Sequence, residues 1–286
     1  MSARIVLVTC AAWPEPSASD QCLATALRAR GHVVDAAPWN GGFAPFARAA
    51  AVVIRSAWDY HEAPDAYLAW LDRLEPERTF NPPDLIRWNL SKAHVLDLGA
   101  RGAVIPRSRL VAAEPAAVAA ALEALHLQEA VIKPAIGASG VGVERVRRGE
   151  EAAALGRARA SLARDRVLVQ EFLAGIEHGE LAGVFFDGVF SHGLRRLPAP
   201  GEFRINSQYG GRMEAASLPG DVVAQMAAVL ALLPVPALYA RVDGLVRDDR
   251  FTLMEVEANE PDLGMDLVPG SADRFADALL ARLGRR

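Results

Sequence analysis

Lys92 and Lys133 are the only lysines among the 31 lysine and arginine side chains of this 286-residue chain. Arginine is a planar fork and lysine a slim point charge on a flexible stem, so a chain this rich in arginine marks its lysines as sites that need a compact charge. Lys133 closes the apolar run Ala130-Val131-Ile132 and opens Lys-Pro-Ala-Ile-Gly-Ala-Ser-Gly-Val-Gly, after which Val143 to Val146 reads as a returning strand. Gly137, Gly140 and Gly142 remove side chains, which lets backbone N–H groups close around phosphate oxygens as a nest. The lysine precedes the glycines, which excludes the phosphate loop in which Gly-Lys-Ser/Thr opens a helix. Nor is Gly-x-x-Gly-x-Gly the dinucleotide fingerprint. A plain hairpin is the alternative, and the Lys-Pro directly before the glycines weighs against it.

A second cluster lies near the C-terminus. Arg241-Val-Asp243-Gly-Leu-Val and Phe251-Thr-Leu-Met-Glu255-Val-Glu257-Ala-Asn259-Glu260 read as two strands joined by the polar turn Arg247 to Arg250. That hairpin brings Asp243 toward Glu257 and Asn259, and alternation puts Glu255, Glu257 and Asn259 on one face. Hard oxygen ligands without histidine or cysteine suit magnesium, which keeps part of its octahedron for water and phosphate. A solvated strand face is the alternative. A third cluster, Arg55-Ser-Ala-Trp58-Asp59-Tyr60, offers Arg55 as a bidentate clamp for a substrate carboxylate and Asp59 for an amino group. A local Arg–Asp pair capping the next helix is the competing reading.

The elements that must position these residues come in two styles. Ile5 to Thr9, Val33 to Ala36 and Ala51 to Ile54 read as buried strands, with a helix from Ser19 to Arg30 closed by Gly31. This spacing predicts a small parallel sheet covered by helices and ending near the Asn81-Pro82-Pro83 breaker. Trp13, Trp39 and Trp58 follow its three strands, at the edge where open parallel sheets bind ligands; packing between subdomains is the alternative use of these rings. Beyond it, Asn89 to Lys92 starts a helix capped by Ser91 and ended by Arg101-Gly102. The alanine-rich helix from Ala116, the Lys133 hairpin, a helix from Glu150 to Arg164 and a strand from Val167 to Leu173 come next. Strands then alternate (Ala182 to Phe186, Val189 to Gly193, Leu238 to Val246, Phe251 to Val256) around one helix, Asp221 to Leu232. The expected divisions are residues 1–88, 89–171 and 172–286: a parallel α/β domain, a central unit with the glycine loop, and a C-terminal antiparallel α+β unit with the metal site.

Composition bounds the function. With 51% hydrophobic residues the chain can bury a substantial core. A formal charge of -4 with interspersed signs offers no broad surface to nucleic acid or anionic lipid. No run approaches membrane-spanning length and the N-terminus lacks signal-peptide character, so a cytoplasmic location is expected. Cys10 and Cys22 lack metal-ligand spacing and are expected as free thiols.

In their order along the chain these pieces resemble the ATP-grasp superfamily, in particular the branch of prokaryotic glutathione synthetase. The match runs from Arg4 to about Leu267 and rests on Lys92, Lys133 with its glycine loop, Gln170-Glu171-Phe172-Leu173, and Glu180 after Gly179. It continues through Arg204-Ile-Asn206-Ser-Gln-Tyr-Gly210-Gly211-Arg212 and Asp243 with Glu257-Ala-Asn259. The resemblance implies an ATP-grasp fold that uses ATP and two magnesium ions. It assigns nucleotide phosphates to Lys92 and Lys133 with the loop at Gly137, Ser139 and Gly140, adenine to the Gln170 to Leu173 strand, and ribose to Glu180. Arg204 would meet the transferring phosphoryl group, Asn206 would assist the metal–phosphate network, and Asp243, Glu257 and Asn259 would hold the metals. The family usually has a basic residue two positions after the Glu180 equivalent. Ala182 stands there, and Arg241 is the candidate replacement.

The chemistry implied is ATP-dependent joining of a carboxylate to an amine through an acyl phosphate, with the glycine loop closing as a lid. Val8-Thr9-Cys10, the Arg55 to Tyr60 segment and Glu257-Ala-Asn259-Glu260-Pro261-Asp262-Leu263 also look like a bacterial subgroup that includes a cycloserine-forming cyclo-ligase. That resemblance implies cyclisation of O-ureido-D-serine, with Thr9, Arg55, Trp58 and Asp59 as substrate contacts. An intermolecular amino-acid or peptide ligase, a phosphotransferase and a nucleotide sensor are the alternatives. A small carboxylate and ATP are the expected partners, and dimers are common in the family, which leaves a homodimer open.

Overall fold

The structure is a computed structural model that describes residues 2–162 and 165–285. Three sheets organise it. The first is parallel, in the order β2-β1-β3-β4, from β1 (Arg4–Thr9), β2 (Val33–Pro38), β3 (Ala51–Ile54) and β4 (Thr79–Phe80). The second is antiparallel, in the order β5-β8-β6-β7, from β5 (Ser108–Ala112), β6 (Glu129–Pro134), β7 (Glu144–Arg147) and β8 (Arg166–Glu171). The third, also antiparallel, runs β11-β10-β9-β12-β13, from β9 (Glu180–Phe186), β10 (Val189–Leu197), β11 (Arg212–Ala216), β12 (Tyr239–Arg247) and β13 (Arg250–Glu257). The helices are α1 (Ala18–Ala29), α2 (Ala44–Ala47), α3 (Pro64–Leu71), α4 (Pro83–Leu90), α5 (Ala93–Ala100), α6 (Pro115–Ala124), α7 (Glu151–Ala158), α8 (Gly220–Leu230) and α9 (Ser271–Gly284).

Local chemistry explains the placements. Ser17 Oγ accepts from Asp20 N at 3.1 Å and starts α1, and Gly31 at φ +84° lets the chain turn out of it. Ile5 to Val8 are fully buried, as a central strand covered on both faces must be. Along β9 the faces alternate: Ala182, Val184 and Phe186 join the core shared with the first sheet, whereas Phe185 packs with Val222, Met226 and Val229 of α8. Gly183 lies where a Cβ would stand 2.5 Å from the Met226 sulfur, so α8 packs close over this strand and a side chain there would push Met226 aside.

Several elements depart from expectation. The C-terminal helix α9 was not anticipated; it packs on α1, stacks Phe275 on Phe186 at 4.6 Å, and buries Ala276 and Leu279 in the core of the first sheet. That core therefore crosses the divisions drawn from sequence. The Asn81-Pro82-Pro83 breaker leads straight into α4, because proline in the first turn loses no helical hydrogen bond. Ser91 lies between α4 and α5 and its Oγ accepts from Ala93 N at 3.3 Å. β10 continues four residues past the expected end at Gly193, to Leu197, and β11 was not expected. The expected end of the Glu150 helix at Arg164 lies outside the described residues; α7 stops at Ala158.

Two buried asparagines join the sheets. Asn81 Nδ2 donates to the carbonyls of Tyr239 and Ala258, both at 2.8 Å, and its Oδ1 accepts from Leu238 N. Asn89 Nδ2 donates to Val256 O at 2.7 Å while its Oδ1 accepts from Ala258 N and Asn259 N. An ion pair completes the seam: Arg55 and Asp20, each 1% exposed, meet at 2.8 Å, and Ser56 Oγ donates to the same carboxylate.

Asp20→Ala would strand the buried Arg55 charge, and urea unfolding should show a loss of about 3–5 kcal/mol. Asp35→Ala, which removes the exposed Arg4 pair, should cost under about 1 kcal/mol. Equal losses would contradict this placement of Arg55. Burial, against the pull of Glu255, lowers the pKa of His94 to about 4 from 6.5. In the unfolded chain the imidazole protonates first, so its neutral burial costs nothing above pH 6.5 and stability falls as pH drops from there toward 4. The loss over that window should be about 3 kcal/mol, and a flatter stability–pH curve for His94→Gln checks it.

Candidate active site

One cavity of about 300 Å³ runs between the β6–β7 hairpin, the inner face of β12–β13 and the helical edge of the first sheet. Lys92 and Lys133 both reach it from separate segments. They are held side by side because Lys92 N donates to Ala135 O at 2.8 Å, tying the start of α5 to the end of β6. Lys92 Nζ pairs with Glu255 Oε1 at 2.5 Å. Burial opposes the charge on both lysines. Glu255 outweighs it at Lys92, whose pKa is raised, but not at Lys133, whose pKa is lowered by burial with Lys92 adding repulsion. Glu255, which burial alone would raise, is held near 2 by the two lysines.

The glycine loop lies over this pair and lines the cavity with Gly137, Ser139 and Gly140. Gly140 and Gly142 both take φ +71°, a region that favours glycine. At Gly140 a Cβ would also stand 2.5 Å from Asn206 Oδ1, so the loop and the Asn206 segment approach as closely as backbone allows. Gln208 donates to Ser139 O, Tyr209 to Gly140 O at 3.3 Å and Tyr60 to Gly137 O at 3.4 Å. The loop is thus fastened from both sides of the cavity. Arg204 lines the same wall with its guanidinium 3.7 Å from the Tyr209 ring centroid, and it holds Glu202, whose pKa falls to about 2 through that hydrogen bond.

The end of β8 and the residues after it, Gln170 to Leu173, form the cavity's outer wall. Gln170 is turned toward Ser108 Oγ at 3.3 Å and Glu171 is paired with Arg107, so this segment presents backbone and the Phe172 ring. Glu180, 3% exposed at the start of β9, also lines the cavity. Burial and the neighbouring Asp243 push its pKa up to about 8.

On β12–β13 the register sets Arg241 opposite Glu257 and Asp243 opposite Glu255, with a bulge after Asp243. Bulges re-aim side chains beside functional sites. Glu257, Asn259 and Arg241 line the cavity, but Asp243 does not. It is 1% exposed, gripped by Arg241 from its own strand at 2.8 Å and by Arg196 of β10 at 3.0 Å. Arg241 Nη2 also reaches Glu257 Oε1 at 2.5 Å, and the two carboxylates raise the Arg241 pKa above an already high value against the cost of burial. Burial also raises the pKa of Glu257, with Arg241 opposing it. Of the expected metal ligands, Asp243 and Glu257 are therefore occupied by guanidinium groups while Asn259 is not, and no three acidic, histidine or cysteine side chains among the described residues stand together as a metal site. Arg196 is a cavity residue that the sequence reading missed. It faces Glu180 across β9–β10, and the expected strand end at Gly193 hid it.

The expected substrate contacts separate. Trp58 lines the cavity, its Nε1 donating to Glu260 O at 3.0 Å. Thr9, Arg55 and Asp59 do not. Thr9 Oγ1 donates to Pro14 O at 3.0 Å and fixes the turn after β1. Arg55 is consumed by Asp20 and by Pro261 O, and Asp59 accepts from Trp39 Nε1 at 2.6 Å and Asn40 Nδ2 at 2.9 Å. Neither the carboxylate clamp nor the local Arg55–Asp59 pair forms, because Asp20 on α1 lies closer to Arg55 than its neighbour in sequence.

Comparison with known proteins places these features. Residues 5–81 match the family described as D-cycloserine synthetase DcsG, N-terminal domain, and residues 102–233 match prokaryotic glutathione synthetase, ATP-grasp domain. The chain is 32% identical over 279 residues to the cycloserine biosynthesis protein DcsG of Streptomyces lavendulae, covering 91% of this chain and 92% of that protein. The crystal structure of D-cycloserine synthetase DcsG superposes with a TM-score of 0.84 at 30% identity over 98% of this chain and 99% of that one. The D-alanine–D-alanine ligase of Bacillus anthracis complexed with ATP shares the fold, with a TM-score of 0.64 at 17% identity over 99% and 98% of the two chains. ATP-grasp ligases use ATP and Mg2+ to form carbon–nitrogen bonds. With an ATP-grasp domain joined to a DcsG-type N-terminal domain, and the lysines, glycine loop and carboxylate hairpin gathered on one cavity, the chain belongs to the ATP-grasp ligases, in the DcsG family.

Proposed function

We propose that the chain cyclises O-ureido-D-serine toward D-cycloserine, using ATP to activate the substrate carboxylate. The observation that carries this reading is the single cavity shared by two lysines, a glycine loop and the Glu257–Asn259 wall, in a chain matching DcsG over nearly its whole length. The carboxylate oxygen attacks the γ-phosphorus and ADP leaves; the ureido nitrogen bonded to oxygen then attacks the acyl carbon and phosphate leaves as the five-membered ring closes. That nitrogen carries a carbamoyl group, which hydrolysis must remove as carbon dioxide and ammonia to reach D-cycloserine.

Lys92 and Lys133 neutralise the triphosphate, Glu180 accepts from ribose hydroxyls, and the Gln170 to Leu173 backbone meets adenine. Burial lowers the pKa of Lys133, and phosphate oxygens beside it would favour its charged form. The donor chemistry fits magnesium in part. Glu257 and Asn259 present oxygen donors to the cavity, and Asn259 Nδ2 is buried without a partner while Oδ1 accepts from Tyr67 at 2.7 Å. An amide flip exchanges those positions, turning the oxygen toward the unpartnered side while Tyr67 accepts. Asp243 would join them as a third oxygen donor if an incoming phosphate drew Arg196 and Arg241 away from it. Magnesium held there, proposed as two ions, would supply positive charge to stabilise the transferring group. Arg204 and Arg241 flank that group. The loop fastened through Gly137, Ser139 and Gly140 excludes water from the acyl phosphate.

ADP release should require O-ureido-D-serine and magnesium, and the product mass should be that of the ring-closed compound. Release of ADP with a phosphorylated substrate and no ring would instead identify a phosphotransferase, and an adduct with added amine an intermolecular ligase. Lys133→Ala and Glu257→Ala should each lower turnover by more than about 100-fold with unchanged circular dichroism. Replacing either lysine with arginine preserves charge yet should cut kcat/KM for ATP about tenfold or more, because the fork does not fit a point-charge site; steady-state kinetics that matched the parent would contradict the phosphate roles.

A further inference from the structure

Six acidic side chains line the cavity, and four are already engaged: Glu171 by Arg107, Glu255 by Lys92, Glu257 by Arg241 and Asp262 by the Gly264 N–H. Glu180 is the ribose carboxylate of the proposed function. The sixth, Glu260, forms no ion pair with any described residue and receives only its own backbone N–H. The cations nearest the active centre are taken, Arg196 by Asp243 and Arg241 by Asp243 and Glu257. Glu260 thus has no ion-pair partner among the described residues, and Lys92, engaged by Glu255, acts on it only from a distance.

Its surroundings are aromatic. Trp58 Nε1 donates to the Glu260 carbonyl at 3.0 Å, Tyr60 is 5% exposed beside it on the cavity wall, and Trp13 backs Trp58 edge-on at 6.1 Å between ring centroids. A buried carboxylate beside such rings is poorly solvated and attracts a cation strongly, and an ammonium that meets an aromatic face gains a further cation–π contribution. Position along the chain matters as much. Glu260 directly follows Asn259, which stands beside Glu257 where the reacting carboxylate must be phosphorylated. In an α-amino acid the ammonium and carboxyl share one carbon, so a carboxyl placed there carries its ammonium to within reach of the next residue.

We propose that Glu260, walled by Trp58 and Tyr60, is the specificity residue that binds the α-ammonium of the substrate. This assigns to the cavity the amino-group role that Asp59, outside it, does not fill, and it rests on the proposed use of an amino-acid substrate. The test is calorimetric binding in the presence of ADP and Mg2+, comparing O-ureido-D-serine with 3-(ureidooxy)propanoate, which lacks only the amino group. The parent protein should prefer the amino compound by about 10- to 100-fold, the range of a charge-assisted hydrogen bond. Glu260→Gln, isosteric and neutral, should bring the two ligands to within about twofold, with ADP binding in the same titration reporting an intact fold. A parent that binds both equally, or a variant that keeps the full preference, overturns the assignment. The ratio is read without turnover, so a missing ring-closed product would remove the proposed reaction while leaving this measurement decisive for Glu260.

Discussion

The structure turns on the buried charge pairing at the β12–β13 hairpin. Arg241 lies between Asp243 and Glu257, and Lys92 caps Glu255 on the neighbouring position. Charges this deep are tolerated only when paired, since removing either partner leaves a desolvated ion that nothing solvates. The hairpin must therefore be held against α5 and the β6 end with little freedom. The carbonyl of Ala135 accepting from Lys92 N and the Asn89 amide spanning Val256 to Asn259 do this holding. The cavity inherits its shape from these ties.

The same pairing gives the cavity a set of internal counter-ions. Lys92 and Lys133 share Glu255, and two arginines share Asp243. A nucleotide with its metal brings both signs of charge at once, so it can exchange with these pairs without stranding an ion. A lysine on a flexible stem can leave a carboxylate for another anion, which suits the phosphate roles proposed for Lys92 and Lys133, whereas Arg55, fixed by Asp20, Pro261 and the rings of Tyr239 and Phe275, is a structural strut.

Much of the cavity wall formed by the loop and the two hairpins was legible in sequence because its signals are local. A glycine loop after Lys-Pro, a strand ending Gln-Glu-Phe-Leu, and a hairpin bearing alternating carboxylates each declare themselves within a dozen residues. The substrate half was not, because its contacts join distant segments. Asp20 and Arg55 meet across two elements, Tyr67 reaches Asn259, and Trp58 touches Glu260. Arg196 escaped notice because β10 runs past the polar residues that seemed to end it, and α9 because an amphipathic helix after Gly270 shows its partner only once α1 is in place.

Sequence alone determined the order of elements around the loop and the identity of the family, since glycine conformations, strand alternation and motif order are properties of neighbours along the chain. The tertiary structure decided which charges are free to act. Whether a carboxylate is a ligand, a counter-ion or a strut depends on what packs against it from elsewhere: Arg196 and Arg241 cover Asp243, Asp20 immobilises Arg55, and Glu260 has no ion-pair partner among the described residues. Coulomb interactions follow distance through the fold and not separation along the sequence, so two equally acidic residues that look alike in the chain become different chemical groups in the folded protein.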